Sequence, residues 1–466
     1  MSASGSAARS VAVVGGGITG LTAAYWLCRA RRDLKVTLFE QRPRLGGNIL
    51  TERWEGFLMD AGPDSFLATK PDALALCEEL GLRDELITTR PEAHRVYLAH
   101  QGRLQPLPEG MALGVPTRLA PFLRTPILTP AGKLRALGDV LVPRRDVAAT
   151  LGQDESILEF MTRRVGREAA RRIVGPLLGG IYAGDIATLS IQATFPELAR
   201  METRYGSLML GLIMRQRGQR GNTPFRSLRG GMATLVHRLE QRLPPESLQM
   251  GVGVERLEPT RTGWRLLLEG GRVEEAHAVV LTVPAHAAAA LLPDCPLGDE
   301  LRAIPYASTA TVFFAFPRDG VHHPLDGAGF IVPTGEARIL ASTWVTSKWE
   351  GRAPNGQVLV RAFVGGTQSP VPLHQLDDRA LMELSRAELE RLLGPLPLAL
   401  FSRAFRYHDA NPQPVVGHIE RLIRIDSELR SLPGLYLAGA AYRGVGIPDC
   451  IRQARAAAER LLRERW

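Results

Sequence analysis

The chain has 466 residues, of which 45% are hydrophobic and 23% are charged. These values exclude a disordered, collagen-like or coiled-coil protein, and at this length we expect two or three lobes instead of one core. The net charge is +9, and since only four of the 57 basic residues are lysines, nearly all of it comes from arginine. No basic run alternates with aromatic residues, so nucleic acid is not an expected partner.

The cysteines and the amino-terminal residues bear on where the protein works. Cys28, Cys77, Cys295 and Cys450 are far apart, with no CxxC spacing and no clustered histidines, so neither a disulfide framework nor a metal site is expected. The first ten residues lack the apolar segment of a secretory signal. No stretch of about 18 apolar residues is present to span a bilayer. The sequence therefore predicts a cytoplasmic protein, either dissolved or lying on the cytoplasmic face of a membrane.

A nucleotide-binding pattern opens the chain. An apolar run over residues 11–14 predicts a buried strand, and it leads into Gly15, Gly17 and Gly20, after which apolar residues recur at helical spacing. Strand, glycine turn and helix in this order are what a dinucleotide fingerprint requires. Gly15 permits the tight turn, Gly17 lets a pyrophosphate approach the backbone, and Gly20 lets the helix pack closely. We expect the pyrophosphate at the helix N-terminus, whose free N–H groups favour anions.

A second predicted strand, residues 35–39, ends at Glu40, which is placed to hydrogen-bond a ribose hydroxyl. Two glycine-containing motifs follow, and their key residues are Arg44, Gly46, Gly47, Gly62 and Pro63. This pattern resembles the FAD-binding extension shared by flavin amine oxidases, phytoene desaturases and protoporphyrinogen oxidases. The resemblance implies that FAD is the cofactor and that these residues bind it.

A glycine-rich motif also closes the chain. Residues 435–439 predict a strand that ends in Gly439, and Gly446 and Ile447 precede a helix expected over residues 451–463. The resemblance implies that Gly439, Gly446 and Ile447 cap the flavin and that Val254, in another predicted strand, contacts the adenine through its backbone. The positive end of the helix could stabilise a reduced, anionic flavin. The two ends of the chain must then meet around one FAD.

The most specific sequence lies in the middle of the chain, at Gly179-Gly180-Ile181-Tyr182-Ala183-Gly184-Asp185. It closely resembles a stretch of protoporphyrinogen oxidases, and the resemblance runs from about residue 11 to residue 462. It implies that Arg95 pairs with a substrate propionate, that the Gly180 backbone lies against the tetrapyrrole, and that Ile331 and Phe363 enclose its rings. Asp64 departs mildly from the family pattern, which leaves a flavin-side role for it open.

The resemblance implies oxidation of protoporphyrinogen IX to protoporphyrin IX, with O2 as the acceptor and H2O2 as the product. Coproporphyrinogen III is the alternative substrate. It carries four propionates and should need more cations than Arg95, so protoporphyrinogen IX is favoured. Two remoter alternatives are an amine oxidase, which would need an aromatic cage at the flavin, and a non-catalytic prenyl-binding escort, which should purify colourless. No catalytic acid–base pair is implied.

The predicted fold class is α/β with discontinuous domains. A Rossmann-like FAD-binding domain takes residues 10–90, 226–296 and 417–466, and a substrate-binding domain on an antiparallel sheet takes 91–110, 206–225 and 297–416. A helical domain takes 111–205. Within it, residues 111–146 are rich in proline and leucine and carry six basic against two acidic side chains. This composition leaves open a membrane-facing surface or a solvated helical face, and a homodimer is also left open.

Overall fold

The computed structural model describes residues 9–144, 154–217 and 224–464. Within these ranges the strands, numbered in chain order, are β1 (Ser10–Val14), β2 (Lys35–Glu40), β3 (Thr51–Trp54), β4 (Phe57–Asp60), β5 (Phe66–Leu67), β6 (Leu86–Thr88), β7 (Val96–His100), β8 (Arg103–Pro106), β9 (Met111–Ala112), β10 (Val115–Pro116), β11 (Phe225–Leu228), β12 (Leu248–Met250), β13 (Val254–Thr260), β14 (Gly263–Leu268), β15 (Val273–Ala276), β16 (Ala278–Leu281), β17 (Tyr306–Pro317), β18 (Gly329–Ile331), β19 (Ala341–Trp344), β20 (Gln357–Gly365), β21 (Phe401–Pro412) and β22 (Leu435–Leu437).

The α-helices, numbered in the same way, are α1 (Ile18–Ala30), α2 (Pro71–Glu79), α3 (Leu119–Arg124), α4 (Pro130–Leu137), α5 (Ile157–Val165), α6 (Arg167–Ala169), α7 (Gly180–Tyr182), α8 (Ile191–Thr194), α9 (Pro196–Tyr205), α10 (Leu208–Arg217), α11 (Ala233–Glu240), α12 (Ala285–Leu291), α13 (Pro296–Arg302), α14 (Val345–Lys348), α15 (Asp378–Leu393), α16 (His418–Leu429) and α17 (Ile447–Arg463). A π-helical stretch, Ala170–Gly179, joins α6 to α7.

Five parallel strands form the nucleotide-binding sheet, in the order β12-β2-β1-β16-β22. Residues 11–14 of β1 are all buried, as expected for a parallel strand with helices over both faces of its sheet. Helices α1, α11 and α17 pack on one face, while α12, α13 and α16 pack on the other. The contact between α1 and α17 brings the two ends of the chain together, as the sequence predicts.

Three details of this lobe differ from the sequence-based expectation. Strand β12, which the sequence pattern does not predict, extends the sheet by pairing with β2. The predicted strand that contains Val254 begins at that residue, and it belongs to a separate antiparallel sheet, β13-β14-β15. Helix α17 begins at Ile447, before the expected start at residue 451. Pro448 fits into its first turn because an N–H at that position would have no helical partner.

The second sheet has seven strands in the order β21-β17-β20-β19-β18-β7-β8. Its pairings are antiparallel except for the one between β18 and β7, which is parallel. Helix α15 covers one face, against apolar residues such as Phe330 and Val360. The other face turns towards the helical segment and the loops that leave the nucleotide-binding sheet.

The helices between residues 119 and 205 pack around a common apolar cluster, and α10 joins it through Leu208 and Leu212. The expectation of a membrane-facing segment gains no support: within the described ranges, no helix is both long and apolar enough to cross a bilayer. Residues 145 and 146 of that segment lie outside the described residues. Leu98 of the second sheet belongs to the same apolar cluster, so the described part of the segment packs beside that sheet.

Candidate active site

The turn between β1 and α1 has the geometry of a phosphate-binding turn. Gly15 has a φ of +108°, a conformation that favours glycine, and its N–H donates to the carbonyl of Phe39 at 2.8 Å. A Cβ built on Gly20 would lie 1.9 Å from the Gly15 oxygen, so α1 can approach the turn only with glycine there. The first turn of α1, all of it described, carries no acidic side chain. Its N-terminal N–H groups therefore suit an anion.

Glu40 lies buried at the end of β2, beside this turn. Its Oε2 accepts from the N–H of Gly16 at 2.7 Å, and its Oε1 accepts from the N–H of Arg42 at 2.9 Å. These bonds orient the carboxylate and leave each oxygen with further capacity to accept. The position is that expected for an acid that hydrogen-bonds a ribose, a role that stays a prediction.

Three stretches of backbone approach one another closely next to the turn. A Cβ on Gly47 would lie 3.1 Å from the Cα of Gly17, and a Cβ on Gly62 would lie 1.9 Å from the oxygen of Asn48. The N–H of Gly46 donates to the Gly16 carbonyl at 2.8 Å. Side chains at Gly47 and Gly62 would crowd the neighbouring backbone, so glycine at these positions lets the three stretches pack closely beside the turn. We call residues 15–17, 46–48 and 62 the flavin cradle.

Arg44 holds its own loop of the flavin cradle. Its Nη2 donates to the Gly47 carbonyl at 2.8 Å, and its Nη1 donates to the carbonyls of Leu45 and Ile49. Partial burial and the nearby Arg42 lower the pKa of Arg44, with Tyr407 and Glu40 opposing that shift. The sequence-based role of Arg44 in cofactor binding is therefore consistent with loop positioning, and direct contact with FAD stays a prediction.

The carboxyl-terminal motif lies against the same cradle through the α1–α17 contact. Gly446 precedes α17, and Gly439, where the sequence predicted the end of a strand, lies two residues after β22 with a φ of +149°. The first turn of α17 carries Asp449, whose Oδ2 lies 2.6 Å from the ammonium of Lys70. Lys70 thus offsets the one acidic charge that would otherwise weaken the positive end of the helix.

Val254 lies on the other side of the nucleotide-binding sheet from α17. It begins β13 and packs, half-buried, against the apolar cluster that contains Phe39, the residue before Glu40. This places it near Glu40 at the end of β2. Its predicted backbone contact with adenine is not tested by these contacts and stays a prediction.

The residues present fit FAD. The backbone of the cradle is packed too closely for a Cβ at Gly62, no described side chain caps the α1 N-terminus, and Glu40 lies beside the turn with both oxygens oriented. The donor set is therefore that of a dinucleotide site built from backbone N–H groups and one acid.

Two of the predicted substrate residues share one row of the second sheet. Ile331 pairs with Ala341, and Ala341 pairs with Phe363, so Ile331 and Phe363 occupy the same face two strands apart. Leu98, opposite Ile331 on β7, is fully buried against the helical segment, and Ile331 packs against the same cluster. This face therefore forms an apolar wall towards the helices, which we call the substrate wall.

Gly180 lies at the edge of that wall. A Cβ built on it would meet no heavy atom within 4 Å, so it borders open space. Its turn ends at Ala183, whose carbonyl accepts from the N–H of Thr367 at 2.9 Å, just beyond β20. Ile331 and Val445, the latter next to Gly446, pack against the cluster that contains Tyr182. Ile331 and the residue before Gly446 thus pack against one cluster, while the role of Gly180 at the tetrapyrrole stays a prediction.

The structure does not bring Arg95 into this group. Arg95 Nη1 donates to Asp326 Oδ2 at 2.5 Å, and Tyr97 donates to the other oxygen of the same carboxylate at 2.7 Å. Tyr97 packs on Trp344 in the cluster beneath α15. Because side chains alternate along an extended strand, Arg95 lies with Tyr97 on the side away from Leu98. Its pairing with a propionate stays a prediction.

The carboxylate of Asp64 is fully engaged within the protein. Its Oδ2 accepts from Lys348 Nζ at 2.7 Å and from Trp349 Nε1 at 3.0 Å, and its Oδ1 accepts from the Ser65 hydroxyl at 2.7 Å. Burial by itself raises the pKa of Asp64, but the charges of Lys348 and Arg361 outweigh it and hold that pKa well below its usual range. Asp64 thus forms an ion pair with Lys348, and these contacts do not test a flavin-side role for it.

Sequence reasoning did not identify Arg361, whose side chain is only 4% exposed. It lies on β20, two residues before Phe363, and donates to the carbonyls of Ala61 and Gly62 at 2.6 and 2.8 Å. The signal available in the sequence is a single arginine inside the apolar run QVLVRAFVG. A charged residue at a strand position that is buried on both sides needs a hydrogen-bonding or charged partner.

Comparison with known proteins identifies the family of this chain. The family described as flavin containing amine oxidoreductase matches residues 18–462. The chain is 35% identical to coproporphyrinogen III oxidase of Bacillus subtilis (strain 168), over 96% of this chain and 97% of that one. It is 30% identical to chloroplastic protoporphyrinogen oxidase 1 of Arabidopsis thaliana, over 95% and 86% of the two chains.

Among solved structures, a protein from Exiguobacterium sp. 255-15, provisionally assigned as a protoporphyrinogen oxidase, superimposes with a TM-score of 0.88. Its sequence is 35% identical, and the match covers 99% of each chain. The mixed α/β architecture and the cradle at the chain ends are thus those of a known flavoprotein fold. This chain belongs to the flavin-containing amine oxidoreductase family, and FAD is its cofactor.

Proposed function

We propose that the protein oxidises coproporphyrinogen III to coproporphyrin III, with O2 as the acceptor and H2O2 as the product. The observation that carries the proposal is the 35% identity to the coproporphyrinogen III oxidase of Bacillus subtilis over nearly the whole of both chains. This reverses the order of the two substrates given by the sequence analysis, where protoporphyrinogen IX came first because Arg95 was the only cation assigned to a propionate.

Protoporphyrinogen IX is the second candidate substrate. It is supported by the 30% identity to the protoporphyrinogen oxidase of Arabidopsis thaliana. The two substrates share the macrocycle and differ in the number of propionates, so the substrate wall serves both. The cations at the rim of the site distinguish them.

When bound, FAD supplies a ring that accepts a hydride from a methylene bridge of the substrate. The protein's own residues orient the macrocycle for this. Ile331 and Phe363 offer an apolar face to its rings, and Gly180, with open space where a Cβ would be, lets it lie against the backbone. Converting a porphyrinogen to a porphyrin removes six hydrogens, so each substrate is oxidised three times, with three O2 reduced to three H2O2.

The direct test is aerobic porphyrin fluorescence with purified, FAD-loaded protein, run in parallel on coproporphyrinogen III and protoporphyrinogen IX, with peroxide recorded. We expect a higher kcat/KM for coproporphyrinogen III and three peroxides per porphyrin. FAD-free protein is the control, because porphyrinogens also oxidise slowly in air. A preference for protoporphyrinogen IX would make the second candidate the function, and equal rates with and without FAD would overturn both.

A further inference from the structure

One buried cation links the flavin cradle to the substrate wall. Arg361 Nη2 donates to the carbonyls of Ala61 and Gly62, the two residues where the cradle meets the second sheet. The hydroxyl of Thr311, in register with Phe363 on the neighbouring strand, donates to the same Ala61 carbonyl at 3.0 Å. The position of Gly62 therefore depends on side chains from β17 and β20.

The same guanidinium also touches the substrate wall. Its central carbon lies 4.3 Å from the ring centroid of Phe363 and 5.3 Å from that of Phe313. A cation over an aromatic face is attracted by the ring quadrupole, and the attraction is greater where water is excluded. Arg361 thus fixes the ring that we propose to lie against the porphyrinogen.

Arg361 has no direct ion pair among the described residues, although the charges of Asp64 and Asp60 act on it from further away. In the described part of the chain no carboxylate forms an ion pair with it within 4.0 Å, because Asp64 pairs with Lys348 and Asp60 pairs with Arg352. The other titratable group that faces it is Tyr407, which stays protonated because burial raises its pKa to about 12. The nearest carboxylates are thus committed to other cations, and the buried guanidinium remains available to an anionic group bound in the cradle.

Two polar atoms at this end of the cradle are also without a partner among the described residues. Arg361 Nε and the Tyr407 hydroxyl are both buried and form no hydrogen bond. The Tyr407 hydroxyl lies 3.4 Å from the position of a Cβ on Gly62, so it borders the cradle itself. Arg361 also contacts Phe363 of the substrate wall, so these donors are assigned to the flavin-ring end of the site.

We propose that Arg361 is a positioning residue for the flavin ring. It fixes the Gly62 carbonyl beside the ring, supplies a buried positive charge that favours the reduced, anionic form of the cofactor, and sets Phe363 against the substrate. The last of these roles rests on the proposed function, whereas the first two rest only on FAD.

The test compares Arg361→Gln and Arg361→Lys with the native, FAD-loaded enzyme. The readouts are the midpoint potential, measured by equilibration with a redox dye, and the Kd of FAD for the apoprotein. We expect Arg361→Gln to lose at least a tenfold preference for the reduced cofactor, which for a two-electron couple is a shift of about 30 mV to more negative potential. A lysine keeps the charge and should recover most of that shift at pH 6.

Arg361→Lys also provides a readout that holds even if the glutamine variant does not fold. A lysine buried at this position has a lowered pKa, whereas arginine keeps its proton at any working pH. The potential of the lysine variant should therefore fall further below the native value as the pH rises from 6 to 9. A lysine variant that follows the native potential over this whole range would overturn the proposal.

Arg352→Gln is the matched control. Arg352 is as buried as Arg361, but it pairs with Asp60 and donates to carbonyls of the 228–229 turn. We expect it to lower the melting temperature without moving the potential. If Arg361→Gln does only the same, Arg361 is a structural residue and the proposal is wrong. Since neither readout uses a porphyrinogen, a native enzyme that oxidises neither substrate would refute the proposed function alone.

Discussion

The ammonium of Lys348 lies 2.7 Å from Asp64 Oδ2, and the pair joins the loop after the flavin cradle to the helix that follows β19. Both side chains are largely buried, at 17% and 19% exposure. Trp349 donates to the same oxygen, so helix α14 is attached to this carboxylate at two points. This carboxylate is therefore one of the links between the nucleotide-binding lobe and the second sheet, together with the bonds from Thr311 and Arg361 to Ala61.

Removing one member of this pair should destabilise the protein. We expect Lys348→Met to lower the free energy of unfolding by about 2–3 kcal/mol, because it leaves a mostly buried carboxylate without its counter-ion. Urea denaturation of the FAD-loaded protein measures the effect. Lys35→Met, at an exposed position at the start of β2, should stay within about 0.5 kcal/mol of the native protein.

The double variant Asp64→Asn/Lys348→Met separates the charge from the packing. It removes both charges and should be more stable than Lys348→Met alone. A single Lys348→Met variant with native stability would show that Trp349 and Ser65 satisfy the carboxylate without the lysine.

The same carboxylate predicts a pH dependence. Its pKa is held below the usual range in the folded protein, so its contribution to stability is full above the unfolded pKa of about 4 and is lost as the pH falls towards the folded pKa. The difference in stability between the native protein and Asp64→Asn should be constant from pH 8 to pH 5 and should shrink below about pH 4. A difference that grows on acidification would contradict the assigned ion pair.

The sequence predicted the cofactor lobe well because its signals are local. The strand before Gly15, the glycines that permit close approach, and Glu40 at the end of β2 all act within one βαβ unit, and the structure has them as expected. Strand β12 was missed because three residues with no alternation give no periodic signal. Its place is set by pairing with β2.

The substrate side was harder to predict because its residues meet only through the tertiary fold. Ile331 and Phe363 share a face because β19 lies between their strands, a register that no local pattern encodes. Arg95 was placed with them by resemblance, whereas in the structure its guanidinium donates a hydrogen bond to Asp326, 231 positions away in the chain. Arg361 was overlooked because its partners are backbone carbonyls from another lobe.

The glycines of the phosphate turn should respond differently to substitution. At Gly17 the backbone is extended and a Cβ would come no closer than 4.0 Å to its nearest neighbour, the Cα of Gly47. Gly17→Val should therefore fold with near-native apoprotein stability and lose FAD by more than about 100-fold in Kd, because the side chain occupies the path of the pyrophosphate. The ratio of flavin to protein absorbance reports occupancy.

Gly20→Ala is the informative comparison for that variant. Its Cβ would lie 1.9 Å from the Gly15 carbonyl oxygen, so the helix must shift and the apoprotein itself should lose about 3 kcal/mol or more. For the Gly17→Val variant itself, full flavin occupancy would contradict the prediction, because it would show that the pyrophosphate lies elsewhere.

The role of Arg95 can be decided by removing its partner as well as the arginine. If Arg95 pairs with a propionate, it does so in competition with Asp326, whose own pKa is lowered by the hydrogen bonds from Tyr97 and Arg95 in spite of its burial. Arg95→Ala should then lower kcat/KM by an amount equivalent to a loss of about 1–3 kcal/mol of transition-state stabilisation. Most of the effect should be a higher KM, since a charge-assisted contact with the substrate is lost. Asp326→Asn should have the opposite effect on KM, because it frees the guanidinium.

Steady-state kinetics on coproporphyrinogen III with both variants measures these effects, and the melting temperature shows whether either change disturbs the fold. The pair is exposed at the surface, at 53% and 35%, so its loss should cost little stability. If neither substitution changes KM, the arginine serves only Asp326 and Tyr97, and the propionates are bound by other cations. Opposite shifts in KM would place a propionate at Arg95 and explain why the strand turns this side chain towards solvent.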